Sequence, residues 1–203
     1  YTYETDADLP YKDHLIRNSE GKLLIYNNFW WIEVGGEWDC IHDTDRCREE
    51  CLKIAYGVWD HVKNKGEHGA DNWELEWIGF LPGKRESRRY VGEYILTQRD
   101  LEEGAHFDDA VAFGGWTMDN HNPKGLRHIG YSSTHIKPKV PYEIPFRSLY
   151  SSNIHNLMFA GRNISATHMA MSSTRVMATC AVMGQAAGTG AALAIKYGCQ
   201  PSG

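Results

Sequence analysis

From Val176 to Ile195 the chain runs VMATCAVMGQAAGTGAALAI, a stretch without one charged residue and crowded with alanine and glycine. Met177, Ala181, Gly184, Gly188, Ala191 and Ile195 recur at intervals of four and three, which places them on one stripe of a helix. The middle of that stripe is almost bare backbone, so something wide comes close to it: another helix, a sheet or a flat ring. Gly184, Gln185, Gly188, Thr189 and Gly190 interrupt the apolar run, which favours a core helix over a bilayer-spanning one. Ser172 or Ser173 is suited to cap this helix, Gly198 to end it, and Lys196 falls in the last turn, where a cation complements the dipole. Upstream, Leu157 to Ala160 is a short apolar run ending at Gly161, as expected of a strand buried on both faces. Between strand and helix, the residues from Ser172 to Arg175 would present unpaired N–H groups and a partial positive charge to whatever lies above the strand end.

The rest of the chain sets the context for that pair of elements. A length of 203 residues, 42% hydrophobic and 23% charged, describes an ordinary globular chain with a real core. The net charge of -5 is scattered along the length, which gives no electrostatic case for nucleic acid or an anionic membrane as partner. Five cysteines without CxxC spacing argue against a disulfide framework and a zinc ribbon. Cys47 and Cys51 stand four apart on a helical pattern and could share a metal, but small apolar thiols are the ordinary reading, and no metal is expected. The chain opens Tyr1-Thr2-Tyr3, with neither an initiator methionine nor a leader pattern, so a processed or truncated piece is expected.

Residues 22 to 38 offer two β-prone runs around Asn27-Asn28, read as a hairpin or bulged strand. Asp43, Thr44 and Asp45 are N-cap candidates for a helix whose apolar face holds Cys47, Cys51, Ile54, Ala55, Val58 and Val62 and which stops at Gly66 or Gly69. Alternation at Trp73, Leu75, Trp77 and Phe80 suggests a strand, Pro82-Gly83 a turn, Tyr90 to Leu96 a short element, and Thr97 to Asp100 the opening of a helical turn. Residues 114 to 145 combine Pro123, Pro138, Pro141 and Pro145 with four glycines, which marks irregular chain of the kind where sites are built.

The stretch NLMFAGRNISATHMAMSSTRVMATCAVMGQAAGTGAALA resembles the C-terminal flavin-binding segment of FAD-dependent oxidoreductases of the glutathione-reductase type. The stretches GFLPGKRESRRYVGEYILTQRD, FDDAVAFGGWTMDNH and YEIPFRSLY resemble the same group, so the likeness runs from Trp73 to Lys196. It implies an α+β architecture in which residues 1–140 form part of a substrate or cap domain. Residues 141–203 would supply the C-terminal strand and helix of an FAD-binding Rossmann-type domain. It also implies FAD as cofactor, held by Ala160, Gly161, Arg162, Ser165, Thr167, Ser173, Thr174 and Arg175, with the helix tip facing the flavin. Two departures stand out. Arg162 follows Gly161 where many relatives carry an acid, and a guanidinium cannot accept a hydrogen bond from a ribityl hydroxyl. No G-x-G-x-x-G opens a helix after a strand; Gly188-Thr189-Gly190 lies deep inside the helix and lacks the third glycine. The missing N-terminal FAD-binding half is therefore an expected partner, and this chain alone is expected to bind FAD weakly or not at all and to be inactive.

Oxidation of a small organic substrate needs a proton acceptor near the site of hydride transfer, and histidine serves at neutral pH without tuning. His168, in the loop before the helix, and His121, close to Asp119 in WTMDNH, are the catalytic candidates. Arg85, Arg88 and Arg89 in RESRR, together with Asp119, are substrate-binding candidates, although a solvated or Glu-paired cluster is the commoner meaning of such a run. Arg175 at a helix start opposes the dipole, which an anionic ligand or a nearby acid would explain. A rival reading takes Trp30, Trp31, Trp38, Trp73, Trp77 and Trp116 as platforms of a carbohydrate-binding module; their aliphatic neighbours favour core aromatics instead. A further alternative is an interaction domain without chemistry.

Overall fold

The computed structural model describes residues 1–4, 19–20, 32–65 and 68–203. It is an α+β protein of helices and two small antiparallel ribbons. The chain packs as two compact units: residues 1–85 with 121–133, and residues 86–120 with 134–203. These units are defined by packing, and a functional division near residue 140 is a different partition of the same chain.

In the first unit, helix α1 spans Thr44–Asp60 and continues as a π-helical turn over His61–Lys65, as the helical spacing anticipates. Asp43 takes the N-cap position without capping, because its carboxylate accepts the Asp39 N–H at 3.1 Å while Asp39 accepts from Ile41 and His42. The polar loop thus spends its side-chain acceptors one turn too early. α1 buries Ile54 and Val58 against Tyr3, with Ile32, Val34, Val62 and Leu126 around them. Gly57 lets the N-terminal segment cross the helix closely, since a Cβ there would lie 2.7 Å from the Tyr1 carbonyl oxygen. Most of the hairpin expected over residues 22 to 38, with Trp30, Trp31 and the stop at Gly66, falls outside the described residues; Ile32 to Trp38 form no strand.

The alternating segment from Trp73 to Phe80 forms no strand, and Trp73, Trp77 and Phe80 are exposed. Alternation reports a pleated backbone, whereas a strand also needs a ladder partner, and none of the described residues supplies one. The expectation that the tryptophans are core aromatics fails at these positions and at exposed Trp116. Trp38 is part-buried beneath the Arg46 guanidinium, 3.9 Å from its ring centre.

In the second unit, helix α2 (Gln98–Glu103) opens on a reciprocal cap. The Thr97 hydroxyl accepts from the Asp100 N–H, and the Asp100 carboxylate accepts the Thr97 N–H at 2.7 Å. Strands β1 (Ala110–Gly114) and β4 (Tyr142–Pro145) pair antiparallel with a bulge between Ala110 and Ala112; β2 (Met118–His121) and β3 (Ser133–Ile136) form the second ribbon. After Asn120 the chain passes into the first unit, and it returns at Thr134. The core holds Leu96, Leu101, Ala112, Met118, Tyr142, Ile144, Leu149, Ile164, Met171 and Met183. Each large side chain buried there contributes roughly 1.5–3 kcal/mol.

The terminal region departs from expectation in two ways. Leu157 to Ala160 is not a strand buried on both faces: only Met158 makes a bridge, to Tyr150, and only Phe159 is buried. A short run there is stitched to its neighbours by single bonds such as Phe159 N–H to Leu149 O, 2.8 Å. The helix is also divided. α3 (His168–Thr174) is capped by Thr167, not by Ser172 or Ser173, and α4 (Met177–Tyr197) begins after extended Val176. Gly198 ends α4 in the left-handed region and Lys196 lies in its last turn, as expected.

α4 packs on β1 through Met183 and its neighbours. Gly190 receives the Phe146 ring so closely that a Cβ would lie 2.5 Å from it. The expected stripe faces the other way: nothing lies within 4 Å of a Cβ built on Gly184 or Gly188, and Met177 and Ile195 are exposed. By length and composition α4 is long and apolar enough to cross a membrane, because its polar interruptions are too few to lower the average, contrary to the reading from those residues alone. That window is only 11% buried, so the expectation of a core helix is not met either.

Candidate functional site

The densest cluster of chemical side chains in the second unit surrounds α3. A parallel bridge between Leu96 and Ala166, and the bond from Thr167 N–H to Leu96 O at 2.8 Å, pin the loop that delivers His168. Thr167 then accepts the Ala170 N–H, so His168 is fixed as the first helical residue. Its side chain is 51% exposed, with Nδ1 against the Glu86 carboxylate and Nε2 2.9 Å from Asn120 Oδ1. Glu86 is held in turn by Arg89. Burial, then the positive charges of Arg89 and Arg175, push the His168 pKa below the ordinary histidine value. That favours a neutral ring with its hydrogen on Nδ1, facing the carboxylate. Asn120 Oδ1 faces Nε2 at 2.9 Å; the flipped amide, with the same contact, presents its NH2 to an unprotonated Nε2.

Arg175 stands seven residues after His168, on the same stripe, immediately beyond the end of α3. Its guanidinium meets Asp119 at 3.0 Å, and Asp119 also lies 3.6 Å from His135 Nδ1 on β3. Adjacent residues of β2, Asp119 and Asn120, therefore engage the two ends of α3. At the C-cap of α3 the Arg175 cation suits that helix's dipole, and a protein acid pairs with it. His168 borders a cleft of about 510 Å³ between α2 and α3, together with Gln98, Arg99, Glu102 and Thr167. A larger groove of about 710 Å³ runs between α4 and β1, past Val111, Phe146, Ala186 and Leu193.

The remaining cofactor candidates are placed unequally. Ala160 and Gly161 are part-buried and Arg162 is exposed, with its charge reaching Cys180 in the first turn of α4. Gly161 adopts φ +95°, a conformation that suits glycine. Ser165 and Thr174 are buried, and neither hydroxyl has a partner among the described residues. The Ser173 hydroxyl donates to Trp116 O at 2.6 Å and accepts from Tyr142 Oη at 2.6 Å. Burial pushes the Tyr142 pKa up to about 12.

His121 belongs to the first unit, where its Nδ1 lies 3.0 Å from Glu33 and its side chain is 8% exposed. Arg85 pairs with the other oxygen of the same carboxylate. Burial pushes Glu33 upward, but hydrogen bonds and charge from His121 and Arg85 outweigh it and lower its pKa to about 2. Of the RESRR cations, Arg85 is held by Glu33 and Arg89 by Glu86, while Arg88 is exposed. His61 and His68 form a buried pair with Nε2 atoms 3.1 Å apart, but no set of three metal-ligating side chains occurs among the described residues.

The family described as FAD dependent oxidoreductase matches residues 6–203. The chain belongs to that family. No curated protein and no solved structure matches it. For a FAD dependent oxidoreductase the residues present fit the ring end of the cofactor. Val176 gives α4 no side-chain cap and Met177 is 89% exposed, so the first-turn N–H groups have no side chain of their own over them. No G-x-G-x-x-G occurs in the sequence.

Sequence reasoning missed Glu86, Asn120, Glu33 and His135. Glu86 lies inside RESRR and Asn120 inside WTMDNH, each beside a residue that was chosen. The signal was present: a carboxylate within a basic run is the partner such a run needs.

Proposed function

We propose that this chain is the substrate-facing and C-terminal flavin-facing part of a glutathione-reductase-type flavoenzyme acting on a small organic substrate. In this reading residues 1–140 belong to a substrate or cap domain, and residues 141–203 complete a Rossmann-type FAD domain whose diphosphate cradle comes from an N-terminal segment outside this sequence. The open glycine stripe of α4 carries the reading: a helix on which a Cβ built at Gly184 or Gly188 would meet nothing within 4 Å is shaped for a closely packed cover. FAD, when bound, supplies the hydride acceptor or donor.

This chain's own groups divide the remaining work. The N–H groups at the start of α4 and the backbone at Ala160-Gly161 orient the ring edge, with Arg162 and Arg175 as the neighbouring cations. His168 Nε2 takes the proton from a substrate entering the cleft between α2 and α3, since the neutral ring carries its lone pair there. Arg88, the exposed member of its cluster, is the cation open to an anionic substrate group, and Asp119 keeps Arg175 in place. His121, held by Glu33, positions the Arg85 pair and does not serve as the base.

The test is flavin retention. The 203 residues expressed alone should purify without visible flavin absorption, and coexpression with a segment carrying strand–GxGxxG–helix should yield a yellow complex. Flavin copurifying with the 203 residues alone overturns the divided-cradle reading. In the loaded enzyme, His168→Gln should lower turnover by about 10²–10⁴-fold.

A further inference from the structure

Glu86 has no assigned role, and its place beside His168 gives it one. We propose that Glu86 is a positioning residue: its carboxylate holds the His168 imidazole in the Nδ1–H form and leaves Nε2 as the proton-accepting atom. The inference rests on the reading of His168 as the acid/base group.

Three contacts define the arrangement. The carboxylate meets Nδ1, Arg89 braces the same carboxylate, and Asn120 occupies Nε2. A carboxylate accepts only, so the nitrogen facing it carries hydrogen in both the neutral and the protonated ring. The neutral ring then has one possible base, Nε2, and its partner Asn120 can exchange its amide for a substrate hydroxyl or amine without moving the ring. Arg89 limits the effect of the carboxylate on charge, because it neutralises part of the field that would otherwise favour imidazolium. The pair therefore fixes orientation while leaving the ring neutral, in keeping with the lowered pKa of His168.

The experiment is long-range ¹H–¹⁵N NMR on the histidine side chains of the 203-residue chain, with the His168 signals assigned by their loss in His168→Gln. The wild type should show the Nδ1–H tautomer as the major neutral form. Glu86→Gln should lose that majority and titrate at lower pH, because removing a negative charge disfavours imidazolium. Glu86→Asp, which keeps the charge, should recover most of the wild-type tautomer ratio. An Nε2–H majority in the wild type overturns the proposal, as does an unchanged titration and tautomer ratio in folded Glu86→Gln. The wild-type measurement decides even if the glutamine variant does not fold. A coexpressed enzyme without flavin absorption would sink the functional reading and leave the measured coupling standing.

Discussion

Glu33 shows how a partly buried carboxylate stays ionised. Its folded-state pKa of about 2 lies below the ordinary 4.5, so the stability it contributes is fully present above 4.5 and is lost as pH falls through about 2. The shift corresponds to on the order of 3 kcal/mol. Glu33→Gln should lower the midpoint of urea unfolding at pH 7 and flatten its pH dependence between 4.5 and 2. An unaltered acid limb would show that His121 and Arg85 do not act through this carboxylate. The Asp119–Arg175 pair makes a similar demand, since its side chains are 17% and 20% exposed. Asp119→Ala should cost about 2–4 kcal/mol by leaving a desolvated guanidinium, whereas Arg88→Ala on the surface should be within about 0.5 kcal/mol of neutral. At this scale the cations and histidines were legible in the sequence, because their residue types announce chemistry. The acids that hold them were not, because pairing depends on which segments meet: Glu33 and His121 are far apart in the chain, and Glu86 and His168 nearly as far.

Among the elements, legibility followed the range of the interactions. α1 and α2 are written locally, in apolar spacing and in the Thr97–Asp100 reciprocal cap, and both form where expected. The strands expected at Trp73–Phe80 and Leu157–Ala160 depend on neighbours that local patterning cannot name, and neither forms a ladder in the described residues. The α3–α4 division was hidden because Ser172 and Ser173, attractive as caps, are buried within α3. α4 itself has two glycine environments that mutation can separate. Gly190→Ala should cost about 1–3 kcal/mol by driving a methyl into Phe146. Gly184→Ala, on the open side, should stabilise the isolated chain by about 0.5–1 kcal/mol through helix propensity. Denaturant midpoints of the two variants would show whether α4 is oriented as described.

Among the described residues the two units differ in the size of their cores. The first gathers its buried apolar groups around Tyr3, Ile54 and Val58, while the second buries a long list headed by Leu96, Leu101, Met118 and Met183. Amide hydrogen exchange should accordingly be slower along β1, β4 and the Met183 side of α4 than along α1. Equal protection in both units would mean that burial in the described residues does not govern their opening. Replacing Gly184 or Gly188 by Val should leave the second unit folded yet block association with the proposed FAD-binding segment, a separation that copurification can read.

The outward flank of α4 has a cellular corollary. Copies that remain uncovered would offer Met177, Leu193 and Ile195 to chaperones and degradative enzymes as an adhesive handle. The abundance of this polypeptide would then follow the supply of whatever shelters that flank, and stoichiometry would be enforced by turnover of the surplus.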